Sequence, residues 1–231
     1  MPLRAVTLDG AGTLFEVAEP VGVTYARVAT RHGIAVDPSN VERAFRAAFT
    51  AAPPLAFPET SPREAAERAW WSAIVHQSLG PGDAAALAAS ATDLFEYYAR
   101  PEAWHLFPDT IPALDVLRRN GLRLGVVSNF DGRLPGLLAA LGLEPFVDTA
   151  VYSTLVGFAK PDPTIFRAAL RALGVGASET LHAGDGVRED VLGARAARLR
   201  AVLVVRNRPA PPAIPDVPVV ASLAELLPLA R

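Results

Sequence analysis

A short apolar run, Arg4–Leu8, stands near the start of the chain, and the next run of its kind comes only at Leu122–Ser128. A lone strand leaves its backbone groups unpaired, so the fold must bring segments from distant parts of the chain together. Beyond that point the pattern is regular. Runs at Leu122–Ser128, Thr149–Ser153, Thr180–Ala183 and Ala201–Val205 alternate with helical periodicity at Ile111–Asn120, Leu134–Leu141, Pro163–Leu173 and Asp190–Ala197. Such strand–helix alternation predicts a parallel sheet covered on both faces. Pro218–Ala221 adds an expected edge strand and Leu223–Leu229 a last helix, while the proline-rich Asn207–Pro218 reads as an irregular surface segment.

The long interval after the first strand has helical periodicity and no good strand. Its segments are Val21–His32, Asn40–Thr50, Pro62–Leu79 and Asp83–Ala99, punctuated by Gly33, Pro53-Pro54 and Gly80-Pro81-Gly82. The expected fold class is therefore α/β, with a parallel-sheet core formed by residues 1–16 and 101–231 and a four-helix insertion at 17–100. Trp70, Trp71, Phe95, Tyr97 and Tyr98 are expected mainly in the core of the insertion.

Several function classes are set aside by composition. The formal charge is −2 with no basic block, which argues against nucleic acid as the main partner. No apolar run approaches the ~18 residues of a membrane span. The stretch before Asp9 is too short for a secretory segment, so a cytoplasmic location is expected. With no cysteine there is no disulfide, thiolate metal site or cysteine nucleophile. The chain uses arginine wherever it needs a cation except at Lys160, its one lysine. That exception suggests a place where a compact ammonium is needed and a guanidinium fork would not serve.

In a parallel sheet, functional groups gather beyond the carboxyl ends of the strands. Those ends hold Asp9, Ser128-Asn129, Lys160 in the loop past the third core strand, and Asp185, with Asp190 a helical turn further on. Singly, each has a structural explanation: an Asx turn, a strand-end hydroxyl, a helix cap. Together they have a chemical logic. Three carboxylates in one cleft raise each other's pKa unless a cation sits among them. An oxygen-only ligand set points to a hard ion such as Mg²⁺. Lys160 and the Ser128 hydroxyl would hold a transferring phosphoryl group, Asp9 would attack phosphorus, and water would release the acyl phosphate.

The run Leu8-Asp9-Gly10-Ala11-Gly12-Thr13-Leu14 resembles the first motif of the haloacid dehalogenase superfamily. Val126-Val127-Ser128-Asn129 resembles its second, Lys160-Pro161 its third, and Gly184-Asp185 with Asp190 its fourth, in the family's order. The resemblance covers nearly the whole chain. The Ser-Asn-Phe-Asp segment at 128–131 and the paired tryptophans look most like the branch called haloacid dehalogenase-like hydrolase domain-containing protein 3. It implies a Rossmann-like parallel sheet core with an inserted four-helix cap of the C1 type, which closes over the cleft and chooses a small-molecule substrate. It further implies Asp9 as nucleophile and metal ligand, and Ser128, Asn129, Thr13 and Lys160 as phosphate-binding, with Lys160 also orienting Asp9. Asp185 would bind Mg²⁺, supported by Asp190 and by the backbone carbonyl of Ala11. Oligomeric state is not implied.

One position departs from the pattern. Family phosphatases usually carry a second Asp two residues after the nucleophile, as general acid and base, and here that residue is Ala11. Asp131 or Glu16 would be the nearest substitutes. A 2-haloacid dehalogenase, in which Asp9 attacks carbon without a metal, also has a non-acidic residue there, but it lacks the Gly-Asp metal motif kept here, and the tyrosine expected after the third motif is Phe166. Phosphonoacetaldehyde hydrolase chemistry needs a cap lysine, which is absent. A non-catalytic protein that binds a phosphorylated ligand or a partner is the remaining class. His105, Trp104, Arg27, Arg43 and Arg46 are candidate substrate contacts.

Overall fold

The computed structural model describes residues 2–57, 63–206, 209 and 211–229. The chain opens with β1 (Ala5–Leu8) and a short β2 (Phe15–Val17), followed by α1 (Val21–Arg31), α2 (Pro38–Ala51), α3 (Arg63–Leu79) and α4 (Ala84–Tyr97). Next come β3 (Trp104–Leu106), α5 (Thr110–Arg119), β4 (Arg123–Ser128), α6 (Leu134–Ala140), β5 (Thr149–Tyr152) and α7 (Ser153–Val156). The remainder is α8 (Pro163–Leu173), β6 (Thr180–Gly184), α9 (Gly193–Ala196), β7 (Arg200–Val204), β8 (Val219–Val220) and α10 (Leu226–Leu229).

Six strands form one parallel sheet in the order β5-β4-β1-β6-β7-β8. The first strand of the sequence is therefore central, flanked by β4 and β6. Its four residues are all buried, as are the five of β6. That is the continuous apolar reading of a strand covered on both faces. Because the strand order reverses around β1, the carboxyl ends of β4, β1 and β6 flank the switch point where α/β sheets hold their ligands. The fold class is thus the expected α/β Rossmann-like sheet. Around it, Ile165, Phe166, Ala169 and Leu173 of α8 pack with Val127, Val151, Val191 and Leu203, among others, in or beside the main core.

Local signals explain the helix boundaries. Asp162 accepts a hydrogen bond from Thr164 N at 2.8 Å, Pro163 takes the first helical position, and Gly174 at φ +62° ends α8. Asp37 and Asp83 cap α2 and α4 in the same way.

The chain divides into two compact units, Met1–Glu16 with Leu106–Arg231, and Val17–His105. The second holds α1 to α4, and β2 and β3 form a separate two-stranded sheet. Neither three-residue strand is long enough to leave an alternation in sequence. In this unit Val21, Tyr25, Val28, Val41, Val75 and Leu94 form the core. Trp70 and Trp71 are only half-buried, standing edge to face at 4.8 Å. The expected start of the third helix at Pro62, and part of the segment 207–218, lie outside the described residues. One further segment differs in kind. Val187–Leu192 is a π-helical turn, where an α-helix was expected from Asp190 onward. Among the described residues no helix is long and apolar enough to cross a membrane.

Leu94 is 1% exposed and Val23, on α1, is 40% exposed. Leu94→Ala is expected to cost about 2–5 kcal/mol in chemical denaturation, and Val23→Ala less than about 0.5 kcal/mol.

Candidate active site

Strand pairing continues into the first site residue: Asp9 N donates to Ala183 O at 2.9 Å. The chain then turns sharply, with Thr13 N, Leu14 N and Phe15 N all directed to the carbonyl of Gly10 and Gly12 N donating to Phe15 O at 2.8 Å. Gly12 has φ +87°, and a Cβ there would lie 2.8 Å from the Asp185 carboxylate. Glycine is required on both counts, backbone conformation and close approach. Arg206 fixes the far side of the turn, donating from Nη2 to Thr13 O at 2.9 Å and from Nη1 to Asp109 Oδ1 at 2.9 Å, with its guanidinium 4.0 Å over the Phe107 ring. Asp109 also accepts from Ser222 Oγ and Leu223 N, both at 2.7 Å, so the end of the chain is tied to the turn after β1.

Lys160 is buried with its ammonium between two carboxylates, 2.7 Å from Asp9 Oδ1 and 2.6 Å from Asp190 Oδ1. Its backbone is gripped by Asn129, whose Oδ1 accepts from Lys160 N at 2.7 Å and whose Nδ2 donates to Lys160 O at 3.0 Å. Asn129, expected at the phosphate, thus has both ends of its amide on the lysine's main chain. Asp190 is saturated with donors: Lys160 Nζ, His182 Nε2 at 3.1 Å, and Gly186 N at 2.8 Å. Gly184 leaves the space for it, since a Cβ there would meet Asp190 Cγ at 2.2 Å.

The electrostatics follow from burial and pairing. Burial works to raise the Asp190 pKa, but Lys160 and His182 outweigh it and hold the carboxyl well below the usual carboxylate range. For Lys160, burial favours the neutral amine and the two aspartates overcome it, so its pKa is raised. Asp9 is pushed up: burial is the largest influence, opposed by Lys160 and by the Ser128 hydroxyl, with Asp190 adding to the rise.

Asp9, Asp185 and Asp190 each offer a carboxylate oxygen, all within 4.8 Å of one another. The Lys160 ammonium answers two of these carboxylates, and the candidate ligand atoms are all oxygen. Such a set fits a hard divalent cation, whose charge would balance the excess and favour ionised Asp9. The Thr13 hydroxyl is fully buried and, among the described residues, has no hydrogen-bond partner, the condition of a donor open to an acceptor. Ala11 forms a bridge with Phe15 in the turn.

The structure does not bring the two acid substitutes into this cluster. Asp131 is buried against Arg133, whose Nε donates to Oδ1 at 2.8 Å and whose backbone N donates to the same atom at 3.1 Å. Glu16 is exposed on β2. In the helical unit, Arg27 pairs with Glu19, Arg43 with Asn40 and Arg46 with Glu42, while Trp104 Nε1 donates to Tyr98 O and His105 is exposed. Sequence reasoning missed His182. The available signal was a polar ring inside an otherwise apolar buried strand.

Comparison with known proteins gives the family. The profile of the haloacid dehalogenase-like hydrolases matches residues 3–198. The chain is 36% identical over 236 residues to haloacid dehalogenase-like hydrolase domain-containing protein 3 of Homo sapiens, covering 99% of this chain and 94% of the relative. Among solved structures, a HAD phosphatase from Thermococcus onnurineus superimposes with a TM-score of 0.71 at 25% identity, covering 98% and 97% of the two chains. A 2-haloacid dehalogenase from Pseudomonas syringae pv. Tomato DC3000 gives 0.66 at 23%, covering 99% and 97%, a likeness of fold.

Removing the shared cation tests the electrostatics. Lys160→Met leaves two buried carboxylates without their cation and is expected to destabilise the fold by about 3–5 kcal/mol at neutral pH. Without the ammonium both carboxyls favour the protonated form, so the deficit narrows as pH falls. In the parent chain Asp190 has a depressed folded pKa. Its contribution is full above the unfolded carboxylate pKa and is lost as pH falls through the folded value. Denaturation midpoints followed from pH 7 down to about pH 2, well below the unfolded carboxylate pKa, check both statements.

Proposed function

The chain belongs to the haloacid dehalogenase-like hydrolases, and within that family we propose that it is a Mg²⁺-dependent hydrolase of a small phosphorylated metabolite, working through an aspartyl-phosphate on Asp9. One observation carries the reading: three carboxylates, Asp9, Asp185 and Asp190, lie together, and the Lys160 ammonium pairs with two of them, Asp9 and Asp190. An excess of buried negative charge is unfavourable unless a cation neutralises it. Asp9, Asp185 and the Ala11 carbonyl are the proposed ligands, with Asp190 in support. The bound Mg²⁺ would supply electrostatic stabilisation of phosphate charge.

The protein's own groups divide the remaining work. An Asp9 carboxylate oxygen bonds to phosphorus as the bond to the leaving oxygen breaks, and water then attacks phosphorus to release inorganic phosphate and restore Asp9. Lys160 keeps Asp9 oriented and faces the phosphoryl oxygens with a fixed positive charge, while Ser128 and the unpaired Thr13 hydroxyl donate to them. Asn129 holds Lys160 in place through its backbone. With Ala11 in place of an acid, the leaving group departs without a proton from that position. Such a loss typically lowers rates by ~10²–10⁴ for poor leaving groups. The proposed substrates are therefore those whose leaving group is a weak base, acyl phosphates first. A cytoplasmic location belongs to the same proposal.

A second reading, 2-haloacid dehalogenase, is favoured by the non-acidic Ala11. It leaves the convergence of Asp185 and Asp190 beside Asp9 without a purpose. A panel of phosphomonoesters, acetyl phosphate and L-2-chloropropionate, each with Mg²⁺ and with chelator, separates the readings. Mg²⁺-dependent phosphate release that Asp9→Asn abolishes is the expected result. Chloride release indifferent to chelator would replace the proposal with the dehalogenase. Ligand-induced thermal stabilisation without turnover would replace it with a binding protein.

Restoring the missing carboxyl should help poor leaving groups selectively. Ala11→Asp is expected to raise turnover of an alkyl phosphate by about tenfold or more, with a smaller effect on acetyl phosphate. The ratio of the two kcat/KM values is the measurement.

A further inference from the structure

His182 is fully buried, belongs to none of the recognised motifs, and has both ring nitrogens engaged. The sheet register sets this up. Thr7 of β1 and His182 of β6 are direct cross-strand partners, each two residues before a site position, Asp9 and Gly184. Residues two apart on a strand share a face. The Thr7–His182 pair therefore lies on the side of the sheet where Asp9 stands. His182 Nε2 lies 3.1 Å from Asp190 Oδ1 and Nδ1 lies 2.9 Å from Thr7 Oγ1. An ionised carboxylate only accepts, so Nε2 carries the proton. Nδ1 is then free to accept from the Thr7 hydroxyl, whose other acceptor, Leu181 O, is at 3.5 Å. Phe166 closes the ring in, edge to face at 5.0 Å.

We propose that His182, oriented by Thr7, is a positioning residue for the Asp190–Lys160–Asp9 chain. Asp190 Oδ1 accepts from both His182 and Lys160. Gly186 N holds the other oxygen. Without the His182 donor, that oxygen keeps Lys160 and Gly186 N keeps the other, but a buried acceptor site is left unsatisfied and the carboxylate is less firmly oriented. The ammonium is then less firmly fixed between Asp190 and Asp9, and Asp9 loses the set orientation its attack requires. The functional consequence rests on the reading of Asp9 and Lys160 as the working pair. The anchoring itself does not.

Lys160 is the one lysine in the chain, which supplies a reporter independent of turnover. Reductive methylation of the native protein, followed by peptide mass spectrometry, reads how firmly its ammonium is held, with the α-amine as internal control. His182→Phe keeps a ring against Phe166 and removes the donor, whereas His182→Gln keeps an N–H near the position of Nε2. The expected result is a rise in Lys160 methylation on the order of tenfold in His182→Phe, the scale of one hydrogen bond to a charged group. His182→Gln should return most of the protection. On p-nitrophenyl phosphate with Mg²⁺, kcat should fall in His182→Phe with KM little changed, and His182→Gln should recover it. Thr7→Val, which keeps shape and removes the hydroxyl, gives a smaller change in the same direction and serves if His182→Phe does not fold.

Unchanged methylation in a folded His182→Phe, or in Thr7→Val where that variant stands in, overturns the proposal. So does equal damage in the Phe and Gln variants, which would make the ring a packing element alone. If no variant, nor the parent, turns over any phosphate ester, the hydrolase reading fails, and the methylation contrast still decides the role of His182.

Discussion

The ammonium of Lys160, held between the carboxylates of Asp9 and Asp190, is the interaction on which the rest of the site depends. Three groups that would each be unfavourable alone in a buried setting are tolerated because each answers another. The sheet exists, in this sense, to deliver them. β1 carries Asp9, β6 leads to Asp185 and Asp190, and β4 ends at Ser128 and Asn129, the residue that grips the lysine's backbone. The charges do not sum to zero. Two carboxylates are answered by one cation, and the third, Asp185, comes within 4.8 Å of both.

Close approach is obtained by omission of side chains. Gly12 lets the turn after β1 lie against Asp185, and Gly184 lets Asp190 fold back over the end of β6. Each is a place where a methyl group would collide with a carboxylate. A glycine chosen for turning alone would leave open space at its Cβ position, as Gly33, Gly80 and Gly121 do.

The sheet was legible because it repeats: apolar strands, alternating helices and polar residues at strand ends are periodic signals with a physical cause. Asp9 and Asp185 stand where apolar runs stop, Asp190 a turn further on, and Lys160 stands out as the one lysine. What could not be read was whatever depends on which atoms a side chain meets. Asn129 looks like a phosphate ligand by position, yet its amide matches the N–H and C=O of Lys160. Asp131 looks like a spare acid, yet Arg133 two residues on folds back over it. β2 and β3 are too short to show a period, and the π-helical turn at Val187–Leu192 contains Asp190, whose contacts with Gly186 and His182 leave no mark in local sequence. His182 is the clearest case, because its partner in β1 is defined by register and not by neighbouring sequence.

The central position of β1 has a consequence for how the protein is made. This strand leaves the ribosome before either of its partners exists: β4 follows at Arg123 and β6 at Thr180. The intervening helical unit, Val17–His105, is contiguous and can bury its own core from local contacts as it emerges. Asp9 and its turn must wait, and the turn is pinned only when Arg206 reaches Thr13 O and Ser222 and Leu223 complete Asp109. A nascent chain can therefore complete its helical unit well before the turn around Asp9 is held in place, and the cluster of Asp9, Lys160 and Asp190 comes together late.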